Sequence, residues 1–304
     1  MHSPSSRTWL ITGASGLLGH ALCSYLAERG ERVIGVIRTH AVDVAGVMEE
    51  RAELTDAERL VVLMATHRPD VVVHAAGLTD VDACERDPDL ARSIHVEASA
   101  RLAGLAADAG AAFVHISTDH LWDGTKAMVT EAEPPCPLNA YARTKLDGEA
   151  AVLAGHGGAL VLRTNFFGEG RSWRRSFSDW VLSGLAEGKT LRMFSDVFFT
   201  PIALGHLCPL LVEMAERKAQ GIYHLAGSER LSKFEFGRLL ARTFGYLESM
   251  IEIGGIATAN LTAPRPQDMS LDCGKAAAFL GRPLPGASAG IRLLLPGQPR
   301  FQTL

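Results

Sequence analysis

The sequence predicts an α/β fold, a doubly wound parallel sheet with a smaller lobe interleaved towards the C-terminus. Three observations predict it. Short runs rich in Val, Ile and Leu recur along the chain, longer segments with helical patterns alternate with them, and a glycine-rich loop joins the first run to the first helix. Such alternation builds repeated βαβ units, which place helices on both faces of a parallel sheet.

The apolar runs are interpreted as strands, because near-continuous hydrophobicity is what a parallel strand buried on both faces requires. A short third strand is expected to end at "AEL" (52–54). The other predicted strands are "TWLIT" (8–12), "ERVIGVIR" (31–38), "DVVVHAAG" (70–77), "AAFVHIST" (111–118) and "ALVLRTNFF" (159–167).

The segments between these strands are interpreted as helices, since they are rich in Ala, Leu and Glu and end near Gly or Pro. The predicted helices cover residues 17–29, 56–67, 88–109 and 139–154. Together with the strands they form repeated βαβ units.

The regularity weakens after about residue 168, and we interpret the rest as a substrate-binding lobe interleaved with the last strands. The elements predicted there are helices over 174–187, 233–244 and 273–280 and a buried strand "GIYHLAG" (221–227). We expect a ligand cleft over the carboxyl ends of the strands. The predicted cofactor-binding domain comprises residues 6–170 and 196–228, and the predicted substrate-binding lobe comprises residues 171–195 and 229–304.

The composition is that of a soluble globular protein. The 304 residues are 47% hydrophobic and 21% charged, with a formal net charge of -4 at pH 7, and the basic residues are scattered. This argues against nucleic acid or an anionic membrane as the partner. The five cysteines form no C-x-x-C pair, so we predict neither a disulfide framework nor a metal site. Without a signal-peptide pattern or an apolar span of about 20 residues, we expect a cytoplasmic protein.

The segment "TGASGLLG" (12–19) follows the first strand and opens the first helix. Gly13 permits a tight turn, Gly16 lets the backbone approach a pyrophosphate, and Gly19 lets helix and strand pack closely. The helix N-terminus offers free N–H groups and a partial positive charge to phosphate. We therefore predict a dinucleotide-binding Rossmann fold, with a purely structural turn as the alternative. The predicted cofactor contacts in this loop are Gly13, Ser15, Gly16, Leu17, Leu18 and Gly19.

The choice of cofactor is expected to depend on the end of the second strand. An acidic residue there would bind the ribose hydroxyls of NAD, whereas a basic one favours the 2′-phosphate of NADP. The strand ends "VIRTH", with Arg38 and no nearby Asp. We therefore predict NADPH, with NADH as the second choice; the alternative for Arg38 is a solvated charge.

Two later strand ends are also candidate cofactor contacts. Glu53 and Leu54 could flank the adenine at the end of the third strand. The small residues after the fourth strand would let the backbone lie against the cofactor, and they are Ala75, Ala76 and Gly77.

The polar residues that follow are candidates for catalysis. "STDHLWDG" (117–124) places Thr118 and Asp119 at the carboxyl end of the fifth strand. On the next helix, Tyr141 and Lys145 are spaced i, i+4, so both side chains emerge from one face. A neighbouring ammonium stabilises a phenolate and lowers its pKa, which makes Tyr141 a candidate proton donor or acceptor. The alternative is an interfacial tyrosine beside a solvated lysine.

Together these features resemble the extended short-chain dehydrogenase/reductase superfamily over nearly the whole chain. Within it the chain is most similar to the dTDP-4-dehydrorhamnose reductase branch, which shows the same motifs in the same order. They are "RPDVVVHAAGLTDVDACERDP" (68–88), "VHISTDHLWDG" (114–124), "PLNAYARTKLDGEA" (137–150), "LRTNFFGEG" (162–170) and "PRPQDMSLD" (264–272).

The resemblance implies a role for each matching residue. It makes Tyr141 the general acid, gives Lys145 the tasks of lowering the tyrosine pKa and holding the nicotinamide ribose, and sets Thr118 to hydrogen-bond the substrate oxygen. Asp119 would help to shape the sugar site, and Arg265 matches a diphosphate-binding position, with an exposed arginine in a proline-rich loop as the alternative. A hydride delivered to a carbonyl carbon leaves alkoxide charge on oxygen, which Tyr141 and Thr118 can neutralise.

The chain departs from the branch at three positions that face the sugar in relatives. His120 stands where the branch usually has Tyr, and Asn165 and Phe166 replace the aromatic residues often seen after "RT". These departures leave open a sugar other than dTDP-4-dehydrorhamnose. His120 could instead pack against Trp122. "RSWRR" (171–175) adds positive charge, although such runs are usually solvated.

The leading prediction is an NADPH-dependent reductase of a nucleotide-linked 4-keto-6-deoxy sugar. The alternatives are a nucleotide-sugar epimerase with retained NAD, which would carry an acidic residue in place of Arg38, and a non-catalytic regulatory subunit, which would have lost Thr118, Tyr141 or Lys145. A dehydratase is disfavoured because only one carboxylate, Asp119, follows the catalytic Thr. The expected partner is a nucleotide-diphosphate sugar, and a homodimer is left open.

Overall fold

The computed structural model describes residues 6–259 and 261–302. Within them the chain divides into two compact units. The first unit comprises residues 6–117, 140–162 and 212–222. The second unit comprises residues 118–139, 163–211 and 223–302, without residue 260.

The described residues form thirteen strands and eleven α-helices. The strands are β1 (Thr8–Thr12), β2 (Arg32–Ile37), β3 (Val47–Arg51), β4 (Val71–His74), β5 (Ala112–Ile116), β6 (Leu160–Arg163), β7 (Phe166–Phe167), β8 (Leu191–Phe194), β9 (Phe198–Phe199), β10 (Ile202–Ala203), β11 (Gly221–His224), β12 (Leu231–Ser232) and β13 (Ile251–Gly254). The helices are α1 (Leu17–Glu28), α2 (Ala57–His67), α3 (Val81–Arg86), α4 (Pro88–Arg92), α5 (Ala98–Asp108), α6 (Ala140–Gly155), α7 (Phe177–Ala186), α8 (Leu204–Glu216), α9 (Lys233–Thr243), α10 (Gly274–Leu280) and α11 (Ala287–Arg292).

A seven-stranded sheet confirms the predicted fold class. Its strand order is β11-β6-β5-β4-β1-β2-β3, and β1 pairs in parallel with both β2 and β4. The order reverses at β1, so the carboxyl ends of β1 and β4 form the switch point at which doubly wound sheets bind ligands. All residues of β1 and β4 are buried, as their continuous hydrophobicity predicted.

The third strand lies earlier than predicted. It spans Val47–Arg51 and therefore ends before the predicted "AEL" segment. It is an edge strand with mostly exposed or half-buried residues, so it lacks the apolar run that marks the central strands.

The predicted strand over 159–167 is two strands in two different sheets. β6 ends at Arg163, and β7 pairs with β10 in a separate two-stranded sheet. Continuous hydrophobicity does not show where a chain leaves one sheet for another, because both pieces are buried or half-buried.

The predicted helix over 88–109 is interrupted by a π-helical segment, Ser93–Glu97, between α4 and α5. A π-helical turn holds one extra residue and shifts the direction of its side chains. Three other helices, α3, α8 and α11, were not predicted. α8 contains Pro209 in its interior, a residue that argues against a helix in sequence, and α3 is only six residues long.

The second unit has its own aromatic core. The Phe236 ring of α9 meets the rings of Phe167 and Phe199 edge-on, with centroids 5.0 and 5.4 Å apart. α7 and α9 begin with capping boxes at Ser176 and Ser232, which satisfy main-chain N–H groups at the helix starts.

The compact units have different bounds from the predicted domains. Residues 118–139, 163–170, 196–211 and 223–228 were placed with the cofactor domain by sequence, but they group with the second unit. The reason is topological, because the chain crosses between the units several times and sequence shows only its linear order. The assignment of cofactor and substrate to the two predicted domains stays a prediction.

Among the described residues, no helix combines the length and the apolar character needed to span a bilayer.

Candidate active site

The glycine loop of the first unit requires glycine for two separate reasons. Gly13 has φ +67°, a left-handed conformation that favours glycine, and a Cβ there would lie 2.8 Å from Ala76 Cα. A Cβ on Gly19 would lie 2.1 Å from the carbonyl oxygen of Gly13. The loop therefore packs backbone against backbone, both on the segment after β4 and on its own helix.

The first turn of α1 fits a phosphate group. Gly16 is the N-cap, and among the described residues no side chain caps this helix and no acidic residue lies in its first turn. Its main-chain N–H groups and the positive end of the helix dipole therefore remain available to an anion. Ser15 and Leu17 are partly exposed here, whereas Leu18 is 3% exposed and belongs to the core. The residues present fit the pyrophosphate of a dinucleotide.

A buried histidine supports the loop. His74 Nδ1 lies 2.7 Å from Thr12 Oγ1, and its Nε2 lies 2.9 Å from Ser99 Oγ. The Ala76 amide donates to the same Thr12 oxygen at 3.3 Å. Burial and the charge of Lys145 lower the pKa of His74 to about 3, so the ring stays neutral near pH 7.

Arg38 lies just beyond β2 and is exposed. Its carbonyl oxygen accepts a hydrogen bond from Arg51 Nη1 at 3.2 Å, and the Arg51 carbonyl accepts one from Arg59 Nε at 3.0 Å. Arg51 is thus a second cation beside the predicted 2′-phosphate position. The sequence analysis did not identify it, because the third strand was placed too late.

The other predicted cofactor residues also lie after strands of the first unit. Ala75 and Ala76 are partly buried after β4, and Gly77 is exposed. After β3, Glu53 is exposed, whereas Leu54 packs against the core. Their contacts with a cofactor stay a prediction.

Tyr141 lies in the first turn of α6 and is partly buried. Its ring meets the His95 ring edge-on, with centroids 5.8 Å apart and an interplanar angle of 80°. It also packs against a small apolar cluster that includes Leu78, Cys84 and Ala91. The aromatic ring is therefore held in place by its neighbours within the first unit.

His95 comes from the π-helical segment and was missed by the sequence analysis. The Leu78 amide donates to His95 Nε2 at 3.0 Å, so the hydrogen of the neutral ring lies on Nδ1. That atom is 2.8 Å from Thr144 Oγ1. Burial and the charge of Lys145 lower the pKa of His95 to about 3. A neutral, fixed ring thus stands beside Tyr141.

Lys145 is 5% exposed. Its Nζ donates to the Ile116 carbonyl oxygen at 2.7 Å and lies 3.5 Å from His115 Nε2. Burial lowers the pKa of Lys145 to about 8, and the charge of Glu149 opposes that shift. The sequence alternative of a solvated lysine is wrong, since this ammonium is held inside the protein.

Glu149 is the third residue that was missed from sequence, after Arg51 and His95. It is 1% exposed and accepts a short hydrogen bond from Ser117 Oγ. It follows Lys145 by one helical turn, so its charge compensates the buried ammonium. The same i, i+4 spacing that identified Tyr141 and Lys145 was the available signal.

The second unit contains the predicted sugar-facing residues. Thr118 and Asp119 are 4% and 3% exposed. Asn165 Nδ2 donates to Asp119 Oδ2 at 2.5 Å, and Thr118 Oγ1 donates to Asp119 Oδ1 at 3.4 Å. The carboxylate of Asp119 is thus oriented by two neighbours that the sequence analysis had also selected.

His120 faces the same carboxylate, with its Nε2 3.8 Å from Asp119 Oδ1. Burial lowers the pKa of His120; Asp119 opposes this, and the charges of Lys233 and Arg265 add to it. Trp122, the alternative packing partner proposed from sequence, stacks under the Arg163 guanidinium and meets His224 edge-on.

Lys233, the first residue of α9, is the fourth missed residue. Its Nζ lies 3.3 Å from the ring centroid of Phe199 and 4.8 Å from that of Phe177. Burial lowers the pKa of Lys233 to about 8, and the charge of Asp119 opposes that shift. In sequence it resembled an ordinary lysine at the start of a helix.

The remaining predicted positions also lie in the second unit. Arg265 is partly buried, and its Nη1 donates to the Ala263 carbonyl oxygen at 2.8 Å. Phe166 lies in β7, paired with Ile202. The basic run 171–175 forms a tight turn and is largely exposed.

Known proteins resemble the chain along most of its length. The family model "RmlD substrate binding domain" matches residues 7–295. The Haloferax volcanii protein named "Probable low-salt glycan biosynthesis reductase Agl14" is 32% identical, over 89% of this chain and 91% of its own. "Methionine adenosyltransferase 2 subunit beta" of Xenopus laevis is 32% identical over 89% and 81%. The "dTDP-4-dehydrorhamnose reductase" of Burkholderia thailandensis is 34% identical over 73% and 74%.

Two solved structures share the fold. A hypothetical dTDP-4-dehydrorhamnose reductase from Sulfolobus tokodaii has a TM-score of 0.81 at 35% identity, over 91% of this chain and 95% of that one. The dTDP-4-dehydrorhamnose reductase of Bacillus anthracis, solved in complex with NADP, has a TM-score of 0.82 at 21% identity, over 95% and 98%.

Proposed function

Because the chain belongs to the RmlD substrate binding domain family, a branch of the extended short-chain dehydrogenase/reductase superfamily, we propose that it is an NAD(P)H-dependent reductase of a nucleotide-linked 4-keto-6-deoxy sugar. The observation that carries the proposal is the pair of Tyr141 and Lys145 on one helix, with the lysine buried and compensated by Glu149. An ordinary amphipathic helix would keep that lysine in solvent.

In the proposed reaction the cofactor, when bound, supplies a hydride to the keto carbon. Tyr141 gives its hydroxyl proton to the oxygen that becomes an alkoxide, and the ammonium of Lys145 stabilises the tyrosinate left behind. The Ile116 carbonyl oxygen holds that ammonium in position, and the negative charge of Glu149 favours its protonated form.

On the substrate side, Thr118 donates a hydrogen bond to the reacting oxygen. Asp119 accepts hydrogen bonds from sugar hydroxyls, and the amide of Asn165 both donates to them and accepts from them. Arg265 binds the diphosphate, for which a guanidinium fork is suited.

We propose NADPH as the preferred cofactor. Arg38 follows β2, and Arg51, the last residue of β3, donates to the Arg38 carbonyl oxygen. Two guanidinium groups match a 2′-phosphate better than the ribose hydroxyls of NAD. The Bacillus anthracis relative solved with NADP is consistent with this choice.

The test is incubation with NADPH and a panel of dTDP-, CDP-, GDP- and UDP-linked 4-keto-6-deoxy sugars, followed at 340 nm, an absorbance that belongs to the reduced nicotinamide. We expect oxidation with at least one sugar and a lower kcat/KM with NADH. Absence of oxidation with every sugar contradicts the proposal.

A non-catalytic subunit is the second candidate, because the chain is 32% identical to a methionine adenosyltransferase subunit. A chain selected only for assembly has no need for a buried Lys145 with a compensating Glu149, and this favours the enzyme. If no sugar nucleotide of the panel supports NADPH oxidation and the protein binds tightly to a methionine adenosyltransferase catalytic subunit, the non-catalytic role is favoured instead. An epimerase would release NAD on denaturation of the freshly purified protein.

A further inference from the structure

Lys233 occupies a position that costs free energy. It is the first residue of α9, where the positive end of the helix dipole disfavours a cation. The residue is half-buried, and its Nζ stands over an aromatic ring, 3.3 Å from the Phe199 ring centroid. A long side chain in this position usually extends to solvent, as lysine does elsewhere on protein surfaces.

Two features of the second unit compensate this cost. The rings of Phe199 and Phe177 present their negative faces to the ammonium. The carboxylate of Asp119 attracts it and raises the pKa of Lys233 against the effect of burial. The charges of Lys233 and Asp119 therefore interact, and Asn165 binds the same carboxylate.

The three polar groups are complementary to hydroxyl groups. Asp119 only accepts hydrogen bonds, the ammonium of Lys233 only donates them, and the amide of Asn165 does both. A neutral diol uses both kinds of partner, whereas a phosphate would be repelled by Asp119. His120 and Arg265 are the other titratable or charged groups that act on this cluster.

We propose that Lys233 is a specificity residue of the sugar site, which donates hydrogen bonds to hydroxyl oxygens of the sugar ring beside Asp119 and Asn165. This inference rests on the proposed function, and it adds to the site a residue that the family motifs of the sequence did not include. A role in binding the sugar also explains why a lysine stands at position 233, where it lowers the stability of the fold.

The first experiment compares Lys233→Met with Lys275→Met in the steady-state reduction of the accepted sugar nucleotide. Methionine keeps the apolar stem and removes the charge. Lys275 on α10 is a matched control, because it lies in the same unit with its Nζ 4.3 Å from the Tyr223 ring centroid, but it is exposed. We expect Lys233→Met to raise KM for the sugar nucleotide about tenfold to hundredfold, the loss of one charged hydrogen bond.

The control variant and the Kd for NADPH should stay at the wild-type values, and Lys233→Arg should recover part of the loss. An unchanged KM in a folded Lys233→Met variant overturns the inference. A structural role alone would lower the melting temperature without moving KM relative to kcat.

A second experiment does not depend on turnover. Wild-type protein is acetylated with acetic anhydride at pH 8, alone, with each sugar nucleotide of the panel, or with the corresponding nucleoside diphosphate, and the rate at Lys233 is read by peptide mass spectrometry. We expect protection by a sugar nucleotide but not by the bare diphosphate. Equal rates in all three conditions overturn the inference.

The experiments distinguish a failure of the proposed reductase activity from a failure of the proposed role of Lys233. No NADPH oxidation with protection of Lys233 contradicts the reductase and supports the sugar site. Oxidation without protection, or with an unchanged KM in Lys233→Met, supports the reductase and overturns the role of Lys233.

Discussion

At the scale of single residues, the buried charges decide what the protein can do. Lys145 and Lys233 both have pKa values lowered to about 8 by burial, and each is compensated by one carboxylate. The carboxylate that compensates Lys145 is Glu149, on the same helix. The carboxylate that compensates Lys233 is Asp119, from a distant part of the chain. Perturbed lysines of this kind are typical of functional sites.

Tyr141→Phe is expected to lower kcat by about 10²–10⁴-fold, the usual contribution of general acid catalysis. The ring packing against His95 is retained, so the melting temperature should change little. Steady-state kinetics with NADPH and circular dichroism on the same samples check this. Near-normal turnover of the Tyr141→Phe variant would contradict the role of Tyr141 as general acid.

The pH dependence of kcat/KM should report Lys145. Its ammonium loses a proton as pH rises through about 8, so activity should fall above that pH. Because the charge of Glu149 raises this pKa, Glu149→Gln should move the fall to lower pH. Gln retains an oxygen that can accept from Ser117, so the local geometry is preserved.

Asp147→Asn is the control for this shift. Asp147 lies on the same helix, but its side chain is 55% exposed and 3.5 Å from Arg92, so solvent screens its charge. Lys233 titrates in the same pH range, so a fall in kcat/KM near pH 8 does not by itself distinguish the two lysines. A shift of that fall in the Glu149→Gln variant would assign it to Lys145. A fall that stays near pH 8 in that variant contradicts the assignment.

At the scale of elements, the π-helical segment Ser93–Glu97 and helix α6 together position Tyr141, the candidate general acid. The segment carries His95, which contacts the ring of Tyr141. α6 can approach the segment because Gly148 has no side chain, and a Cβ there would lie 2.3 Å from the His95 carbonyl oxygen. The close approach of the two backbones therefore sets where Tyr141 stands.

Gly148→Ala is expected to destabilise the protein by about 1–3 kcal/mol, as overpacking does, and to lower kcat by displacing His95 and α6. Gly104→Ala on α5 is the matched control, since nothing lies within 4 Å of its added Cβ. Alanine favours a helix by up to about 1 kcal/mol over glycine, so the control should be neutral or slightly stabilising. Chemical denaturation measures both, and equal effects would refute the packing argument.

At the scale of the whole molecule, the cofactor loop, Arg38 and the proposed acid all belong to the first unit. A ligand that binds only the folded unit stabilises it, by about 2.7 kcal/mol at a hundredfold excess over Kd. Cofactor binding should therefore be visible as a rise in melting temperature even when no substrate is known.

NADPH should raise the melting temperature more than NADH at equal concentration, by several degrees at saturation. Arg38→Ala should reduce the difference, because it removes a partner of the 2′-phosphate. Differential scanning fluorimetry of both proteins with both cofactors checks this. Equal shifts in the wild-type protein contradict the preference for NADPH.

The sequence by itself determined the fold class, the glycine loop and the Tyr141–Lys145 pair. These are local patterns: hydrophobic runs mark strands buried on both faces, and fixed spacings place side chains on one helix face. The edge strand β3 was placed too late and the helix α8 was not recognised, because edge exposure and Pro209 conceal the usual patterns.

Only the tertiary structure decided which residues compensate one another. Ser117 meets Glu149, Asp119 meets Asn165, and Lys233 stands over Phe199 although each pair is far apart in the chain. Burial and electrostatic interaction depend on distances in space, and these are fixed by packing between elements rather than by spacing within them. The burial of Lys145 and the aromatic contacts of Lys233, on which the proposed roles of the two residues rest, therefore became apparent only in the folded chain.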